Sequence, residues 1–263
     1  MSEKQSGVLT LDGVDSDDRT AIEANEIEKQ PRLSFHVLEP GDANYGWGLQ
    51  VEKDVFASEF GDSPELIEQE YYKYNPYSTL LVVRDEKANM PIGMWRVIHN
   101  NKDVGFKTYN DIQREDLGWK RRMDDVLLQT ELELPPEKTV DLGSVAILKQ
   151  YRENLEGAQA GIALYKGMIE YSKQHGIEYW VGIIDRKPFE LVTQKRFGGI
   201  FHQFKSLGYE KYMGSEQSTP VYAEVARVPE IIKAHSEMFY KLIVEAEGLG
   251  EFVSFPTGYL EAS

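Results

Sequence analysis

The sequence predicts a mixed α/β fold in which helices cover both faces of a central sheet. Segments with strand periodicity and segments with helix periodicity alternate along most of the chain, which is typical of layered α/β domains. Residues 177–184 are apolar on both alternations, as expected of a central strand with both faces covered. A helix separates this strand from one predicted at 139–148, so we expect a right-handed crossover between two parallel strands.

The chain before residue 75 predicts one strand and two helices. Residues 32–38 have strand character, and the apolar residues of 48–60 recur at helical spacing. A second helix is predicted to begin at Ser63-Pro64, because a capping residue precedes a proline at the first helical position, and to end near Tyr74.

Two strands joined by a short turn follow. Residues 78–85 and 92–98 predict a β-hairpin, and the polar residues 99–138 predict a long connection with one or two short helices. The other predicted elements, in chain order, are a strand at 139–148, a helix at 158–174, a strand at 177–184, a helix at 187–197, one bent strand over 199–213, a strand at 220–228 and a last helix at 229–247.

Composition limits the class of protein. No apolar run in the 263 residues approaches the roughly 20 needed to cross a bilayer, and there is no cysteine for disulfides, thiolate catalysis or Cys-based metal sites. The five histidines lack the spacing of metal ligands, so we expect no bound metal. The formal net charge of −15 argues against nucleic-acid binding, which needs clustered Lys and Arg. An N-terminus without a basic leader or an apolar segment predicts a cytoplasmic protein.

Three regions are predicted along the chain. Residues 1–30 have a net charge of −5, from eight acidic and three basic side chains, and predict a disordered acidic arm. Residues 31–228 predict a single domain. Residues 229–263 predict a C-terminal helix and tail packed on that domain.

Four stretches carry a resemblance to a known family. They are KYNPYSTLLVVRD with IGMWRVI, VDLGSVAILKQYR, GIALYKGMIEYSKQHGIEYWVGIID, and KRFGGIFHQFKSLGYEKYMGSEQSTPVYAEV. Together they resemble the acyl-homoserine lactone synthases, the N-acyl amino acid synthases and the exosortase-associated acyltransferases of the GNAT superfamily. The order of the predicted strands and helices is also the GNAT order.

The resemblance implies a GNAT-fold acyltransferase. Its reaction would move a fatty acyl group from an acyl carrier protein, or from acyl-CoA, to the amine of an amino acid or a similar small acceptor. The implied co-substrate is acyl-phosphopantetheine or acyl-CoA, the implied partner is acyl carrier protein, and no tightly bound cofactor is expected. Two alternatives stay open: an N-acetyltransferase that uses acetyl-CoA, and a catalytically silent GNAT-fold binding protein.

The implied catalytic residues are Asp141, Arg96 and Glu133. Asp141 lies where the family has a carboxylate at the start of a strand, and it would accept the amine proton; Glu133 and Glu131 are the alternatives. The other interpretation of Asp141 is a turn cap or an ion pair. Arg96 is expected to face the cleft, or else to form a surface salt bridge. Because adjacent strand residues face opposite ways, we expect only one of Trp95 and Arg96 in the core.

The acyl donor is expected to bind along the strand at 139–148 and the start of the next helix. The resemblance implies that backbone N–H groups near Val145, Ala146 and Ile147 hold the developing oxyanion. It also implies a pyrophosphate loop, here with Glu153 and Glu156 that would repel a diphosphate and so favour a carrier protein over coenzyme A. The loop residues of the right type are Arg152, Gly157, Ala158 and Gly161, at a spacing that differs from the superfamily's. Close helix packing is the other explanation of the two glycines.

Substrate contacts are expected from one amide and four aromatic side chains. They are Asn75, Trp95, Tyr179, Tyr209 and Tyr212. For any one tyrosine, simple packing is the alternative. The two parallel strands are expected to part near Ile147 and Tyr179, which would leave a slot for the thioester arm.

Overall fold

The computed structural model describes residues 31–190 and 197–260. The arm predicted at 1–30 lies outside the described residues. Within them, no helix is long and apolar enough to cross a bilayer, and no group of three His, Asp or Glu side chains is placed to hold a metal ion.

Nine strands in the described part of the chain form one mixed sheet. They are β1 (Leu33–Leu38), β2 (Ser78–Asp85), β3 (Met90–His99), β4 (Thr139–Ile147), β5 (Tyr179–Asp185), β6 (His202–Gln203), β7 (Glu210–Tyr212), β8 (Ser215–Glu224) and β9 (Val253–Ser254). The strand order is β6-β8-β5-β4-β3-β2-β1-β9, and β7 pairs with β8. β4 pairs with β5 in parallel, as β1 does with β9, and the other pairs are antiparallel.

Helices lie on both faces of this sheet, as predicted. Over the described residues they are α1 (Gly46–Phe60), α2 (Pro64–Tyr71), α3 (Lys107–Gln113), α4 (Met123–Thr130), α5 (Leu155–Gln174), α6 (Arg186–Pro188), α7 (Val228–His235) and α8 (Glu237–Phe239). α5 packs against β1, β2 and β3, and α1 packs against the opposite face of β2, β3 and β4. The α2 cap is the predicted one, because Ser63 Oγ accepts a hydrogen bond from the Leu66 N–H at 3.2 Å.

Trp95 and Arg96 are both buried, at 2% and 1% exposure. Trp95 lies on the α5 side, with its ring centroid 5.0 Å from that of Tyr165. Arg96 lies on the α1 side. The expectation that only one of the pair lies in the core was therefore wrong, because helices cover both faces of β3 at this level.

Three predicted elements after residue 186 differ from the structure. The helix predicted at 187–197 is described only as the short α6, since residues 191–196 lie outside the described part. The bent strand predicted over 199–213 is two short strands, β6 and β7, each paired with β8. The last helix ends early at His235, because Ser236 is extended and its hydroxyl accepts a hydrogen bond from the Phe239 N–H. A π-helical turn, Tyr240–Val244, follows.

Candidate active site

A β-bulge lies in β4 at Gly143. On β3, Arg96 pairs with Ser144 and Val97 pairs with Leu142, so Gly143 is the extra residue of the ladder. A Cβ at Gly143 would lie 2.8 Å from Cδ of Arg96. The bulge therefore requires a residue without a side chain.

The parallel strands β4 and β5 part at the level of this bulge. Their last paired residues are Leu142 and Gly182, although β4 continues to Ile147. The parallel pairing predicted from the sequence is present, and the strands separate within their length. The residue expected to mark the opening on β5 was wrong, because Tyr179 pairs with Thr139 at the closed end.

The predicted oxyanion residues follow the bulge along β4. Val145 is 48% exposed, Ala146 is buried, and Ile147 is half-buried. The carbonyl oxygen of Ile147 accepts a hydrogen bond from Arg152 Nε at 2.7 Å. Of the three, Val145 presents its side chain to solvent where β4 and β5 have parted.

Arg96 and Glu52 form a buried ion pair beside the bulge. Arg96 Nε donates to Glu52 Oε1 at 2.9 Å and Nη2 donates to Glu52 Oε2 at 2.5 Å, with side-chain exposures of 1% and 2%. Arg96 Nη1 donates to Asn75 Oδ1 at 2.8 Å, and the Ser144 hydroxyl donates to Glu52. A cavity of about 70 Å³, which we call the bulge cavity, is lined by Arg96, Glu52, Asn75 and Tyr71 among others. Arg96 thus lies in the site, but its ion pair is not at the surface.

Tyr71 connects this ion pair to the bulge. The Arg96 guanidinium carbon lies 4.5 Å from the centre of the Tyr71 ring, and the Tyr71 hydroxyl donates to the carbonyl oxygen of Gly143 at 2.5 Å. In a planar trans peptide, the carbonyl of Gly143 and the N–H of Ser144 point in opposite directions. By holding the carbonyl, Tyr71 therefore fixes the direction of the Ser144 N–H.

A second buried cation, Lys107, lies on the same face of the sheet. Its Nζ donates to Glu70 at 2.5 Å, to Asp111 at 2.7 Å and to the Tyr212 hydroxyl at 2.8 Å. The Tyr212 hydroxyl donates in turn to Asp111 at 2.6 Å. Lys107 Nζ also lies 5.1 Å from the centre of the Tyr71 ring, so the two polar clusters meet at Tyr71.

A larger cavity of about 330 Å³ opens between α2, the residues after α3 and the β7–β8 hairpin. We call it the hairpin cavity. Its polar lining residues are Glu70, Arg114, Asp116, Glu210, Lys211 and Tyr212. Two of the predicted substrate residues thus lie at cavities, Asn75 at the bulge cavity and Tyr212 at the hairpin cavity.

Asp141 lies at the N-terminus of α3. It is 1% exposed, and its oxygens accept hydrogen bonds from the Thr108 N–H at 2.5 Å and the Thr108 hydroxyl at 3.0 Å. Burial raises the pKa of Asp141 to about 7. It lines neither cavity. These contacts match the other interpretation of Asp141, a cap, and its role as a base stays a prediction.

Four other predicted residues lie away from both cavities. Glu133 is exposed on the connection between α4 and β4. Trp95 is in the core beside Tyr165, Tyr179 packs against the apolar cluster under α3 and α4, and Tyr209 lies 5.5 Å from the Arg186 guanidinium. The structure does not bring them together with Arg96.

The groups of the predicted pyrophosphate loop are engaged within the chain. Arg152 Nη1 pairs with Glu59 at 2.9 Å, and Glu156 pairs with Arg32. The Gly157 N–H donates to the Asn154 side chain at 2.9 Å, and the Ala158 N–H donates to the Asn154 carbonyl. Gly157 serves close packing, because a Cβ there would lie 1.8 Å from the Tyr151 carbonyl oxygen. At Gly161 a Cβ would make only an ordinary contact, 3.6 Å from Ile147.

Glu52, Tyr71, Lys107 and Gly143 were not predicted. Gly143 carried a usable signal, since an isolated glycine inside a strand pattern indicates a bulge. The other three carried none, because a charged or aromatic residue in a helix does not reveal its long-range partner.

The described elements and their sheet order are those of the GNAT fold, as predicted. No protein-family model and no curated protein sequence matches the chain. Among solved structures, it is similar to FeeM, an N-acyl amino acid synthase from uncultured soil microbes, with a TM-score of 0.53 and 14% identity over 78% of this chain and 98% of FeeM. It is also similar to BjaI, a CoA-dependent acyl-homoserine lactone synthase, with a TM-score of 0.51 and 9% identity over 85% of this chain and 93% of BjaI.

Proposed function

We propose that this protein is an N-acyltransferase, which moves an acyl group from a thioester donor to the amine of a small acceptor. The observation that carries the proposal is the bulge at Gly143, placed where β4 and β5 part in a GNAT fold. Two parting parallel strands leave unpaired backbone edges for an extended thioester arm, and the bulge aims N–H groups away from the ladder. FeeM and BjaI, two of the solved structures of similar fold, are named as an N-acyl amino acid synthase and an acyl-homoserine lactone synthase.

The residues around the bulge have proposed roles in this reaction. The neutral amine nitrogen attacks the thioester carbonyl carbon, a C–N bond forms and the C–S bond breaks. The sulfur takes up the proton that the amine loses and leaves as a thiol. Negative charge develops on the carbonyl oxygen, and an N–H fixed in direction stabilises it at little reorganisation cost. Ser144 N–H is the proposed donor, and Tyr71, held under Arg96, is the residue that positions it.

We propose that the acyl donor is an acyl group carried by acyl carrier protein, and that the reaction takes place in the cytoplasm. The support is the start of α5, where the Asn154 side chain already accepts from the Gly157 N–H and where the first turn has an acidic residue, Glu156, paired with Arg32. A diphosphate gains little at a helix start whose N–H groups have partners. Binding of phosphopantetheine, which has a single phosphate, depends less on free N–H groups at a helix start.

The experiment is an acyl-transfer assay with matched donors. Acyl carrier proteins of several acyl chain lengths, the corresponding acyl-CoAs and acetyl-CoA are each incubated with the protein and a pool of small amines, and N-acyl products are measured by mass spectrometry. Product from a fatty acyl carrier protein is the expected result. Product from acetyl-CoA alone would assign an acetyltransferase. No product from any donor would contradict the proposed function and favour a binding protein.

A further inference from the structure

We propose that the hairpin cavity binds a small amine that has net positive charge and no carboxylate, and that Glu210 is the residue that selects it. This inference rests on the proposed function in one respect, namely that the bound amine is the acyl acceptor. The binding itself can be tested without an acyl donor.

Both cations that line the hairpin cavity already have partners. Arg114 Nη2 donates to Asp116 at 2.8 Å and Arg114 Nη1 lies 3.3 Å from Glu70. Lys211 pairs with Glu216 at 2.7 Å. A carboxylate on the ligand would therefore have to share its cation with a carboxylate of the protein.

Glu210 is the lining carboxylate that lacks a partner. No hydrogen bond or ion pair to its side chain occurs in the part of the chain that the structure describes. The connection after α3 lies directly on it: a Cβ at Gly118 would be 2.1 Å from Glu210 Oε2. The half-buried carboxylate is thus held at the cavity wall with its charge uncompensated, and a ligand cation would pair with it.

A second carboxylate without a partner stands behind the same wall. Asp62 is 8% exposed, and its Oδ2 has no hydrogen-bond partner among the described residues. It lies against the lining residue Gly214, where a Cβ would be 3.0 Å from Asp62 Oδ1. Burial raises the pKa of Asp62, since no cation offsets its desolvation. Two independent positions, Glu210 at the cavity and Asp62 behind its wall, therefore have a carboxylate without a partner among the described residues.

The hairpin cavity adjoins the bulge through a shared wall. Glu70 and Tyr212 line it, and both bind the Lys107 ammonium, which lies beside Tyr71. The proposed ligand is therefore a short diamine: one ammonium pairs with Glu210, and the other nitrogen, as the neutral amine, attacks the acyl carbonyl and gives its proton to the leaving thiolate. An amino acid would instead bring its carboxylate into a cavity whose two lining cations, Arg114 and Lys211, already pair with carboxylates.

The test is a calorimetric titration of the full chain with putrescine and, separately, with glycine, in the absence of an acyl donor. We expect putrescine to bind wild type and glycine not to bind measurably. Glu210→Gln should weaken putrescine binding at least tenfold, and Asp62→Asn should weaken it less. Glu224→Gln, which removes the same charge at the far end of β8 where Glu224 pairs with Arg227, should bind like wild type. Thermal melting of each variant checks folding.

Equal binding of putrescine by wild type and Glu210→Gln would overturn the inference, and so would glycine binding as tight as putrescine binding. The two proposals fail separately. Putrescine binding that depends on Glu210, with no N-acyl product from any donor, supports the cation site and contradicts the acyltransferase. An N-acyl amino acid product made equally well by wild type and Glu210→Gln supports the acyltransferase and contradicts the cation site.

Discussion

The two faces of β3 differ in what they bury. On the α5 face, Trp95 packs edge-on to Tyr165 and near Trp180, with apolar surface on all three. On the α1 face, the next residue, Arg96, is equally buried but is surrounded by Glu52 and Asn75. The stabilisation from apolar contacts depends on the area buried, and substitutions that conserve side-chain volume cost little. Buried ion pairs depend on each partner, because a lone buried charge is costly. The α1 face of β3 therefore depends on particular residue pairs held in a defined geometry. It is also the face on which the candidate active site lies.

The largest expected effect is on the α1 face. Arg96→Met should lower the free energy of unfolding by about 3–5 kcal/mol, because Glu52 would stay buried without its cation. Urea unfolding followed by circular dichroism measures it. The double variant Arg96→Met with Glu52→Leu should regain part of the loss, since no charge is then buried. If the double variant is less stable than the single one, packing rather than charge explains the loss.

Asp141 predicts a pH dependence that the apolar face cannot produce. Its folded pKa, about 7, is above its ordinary value of 3.8 because of burial, so the folded state binds the proton more tightly than the unfolded state. The stabilisation that proton binding by Asp141 gives the folded state is fully present below about pH 4 and is lost as the pH rises through about 7. At about 1.4 kcal/mol per pKa unit, the free energy of unfolding changes by roughly 4 kcal/mol over this range.

Asp141→Asn should remove this dependence, which is seen as the difference between wild-type and variant unfolding free energies over that pH range. Because Thr108 holds both oxygens of Asp141, we also expect turnover of the folded variant within about threefold of wild type. A loss of turnover by orders of magnitude in a folded Asp141→Asn protein would support Asp141 as the base.

The same contrast separates what the sequence could predict from what it could not. Apolar periodicity located β1 to β5, β8, α1 and α5, because burying an apolar stripe requires it. The cap at Ser63 located the start of α2, whereas β6 and β7 were predicted as one strand and the two-residue β9 was not predicted. The ion pair of Arg96 with Glu52 joins residues 44 positions apart, and no local pattern specifies such a pairing. Asp141 was chosen from its resemblance to the family's carboxylate at a strand start, but its contact with Thr108 was not predictable, because Thr108 lies in a connection without periodicity.

A smaller effect is expected at Tyr71. Tyr71→Phe removes the hydroxyl that holds the Gly143 carbonyl, so kcat should fall about 10–100-fold while KM for the acyl donor stays nearly constant. The matched control is Tyr74→Phe. Tyr74 is also buried, but its hydroxyl accepts from Asn110 Nδ2 instead of contacting the bulge. Equal kcat losses in the two variants, or a change in KM alone, would contradict a positioning role for Tyr71.

The smallest expected change in stability tests whether the glycines at the start of α5 serve helix packing or phosphate binding. Gly161→Ala should stabilise the protein by about 0.5–1 kcal/mol, because alanine is the better helix former and its Cβ meets only Ile147 at an ordinary distance. Gly157→Ala should be clearly destabilising, since its Cβ would overlap the Tyr151 carbonyl oxygen and backbone would have to move. Thermal melting of both variants measures this, with and without coenzyme A. If coenzyme A raises the melting temperature of wild type but not of Gly161→Ala, Gly161 contacts the donor after all and the assignment of this helix start to packing is wrong.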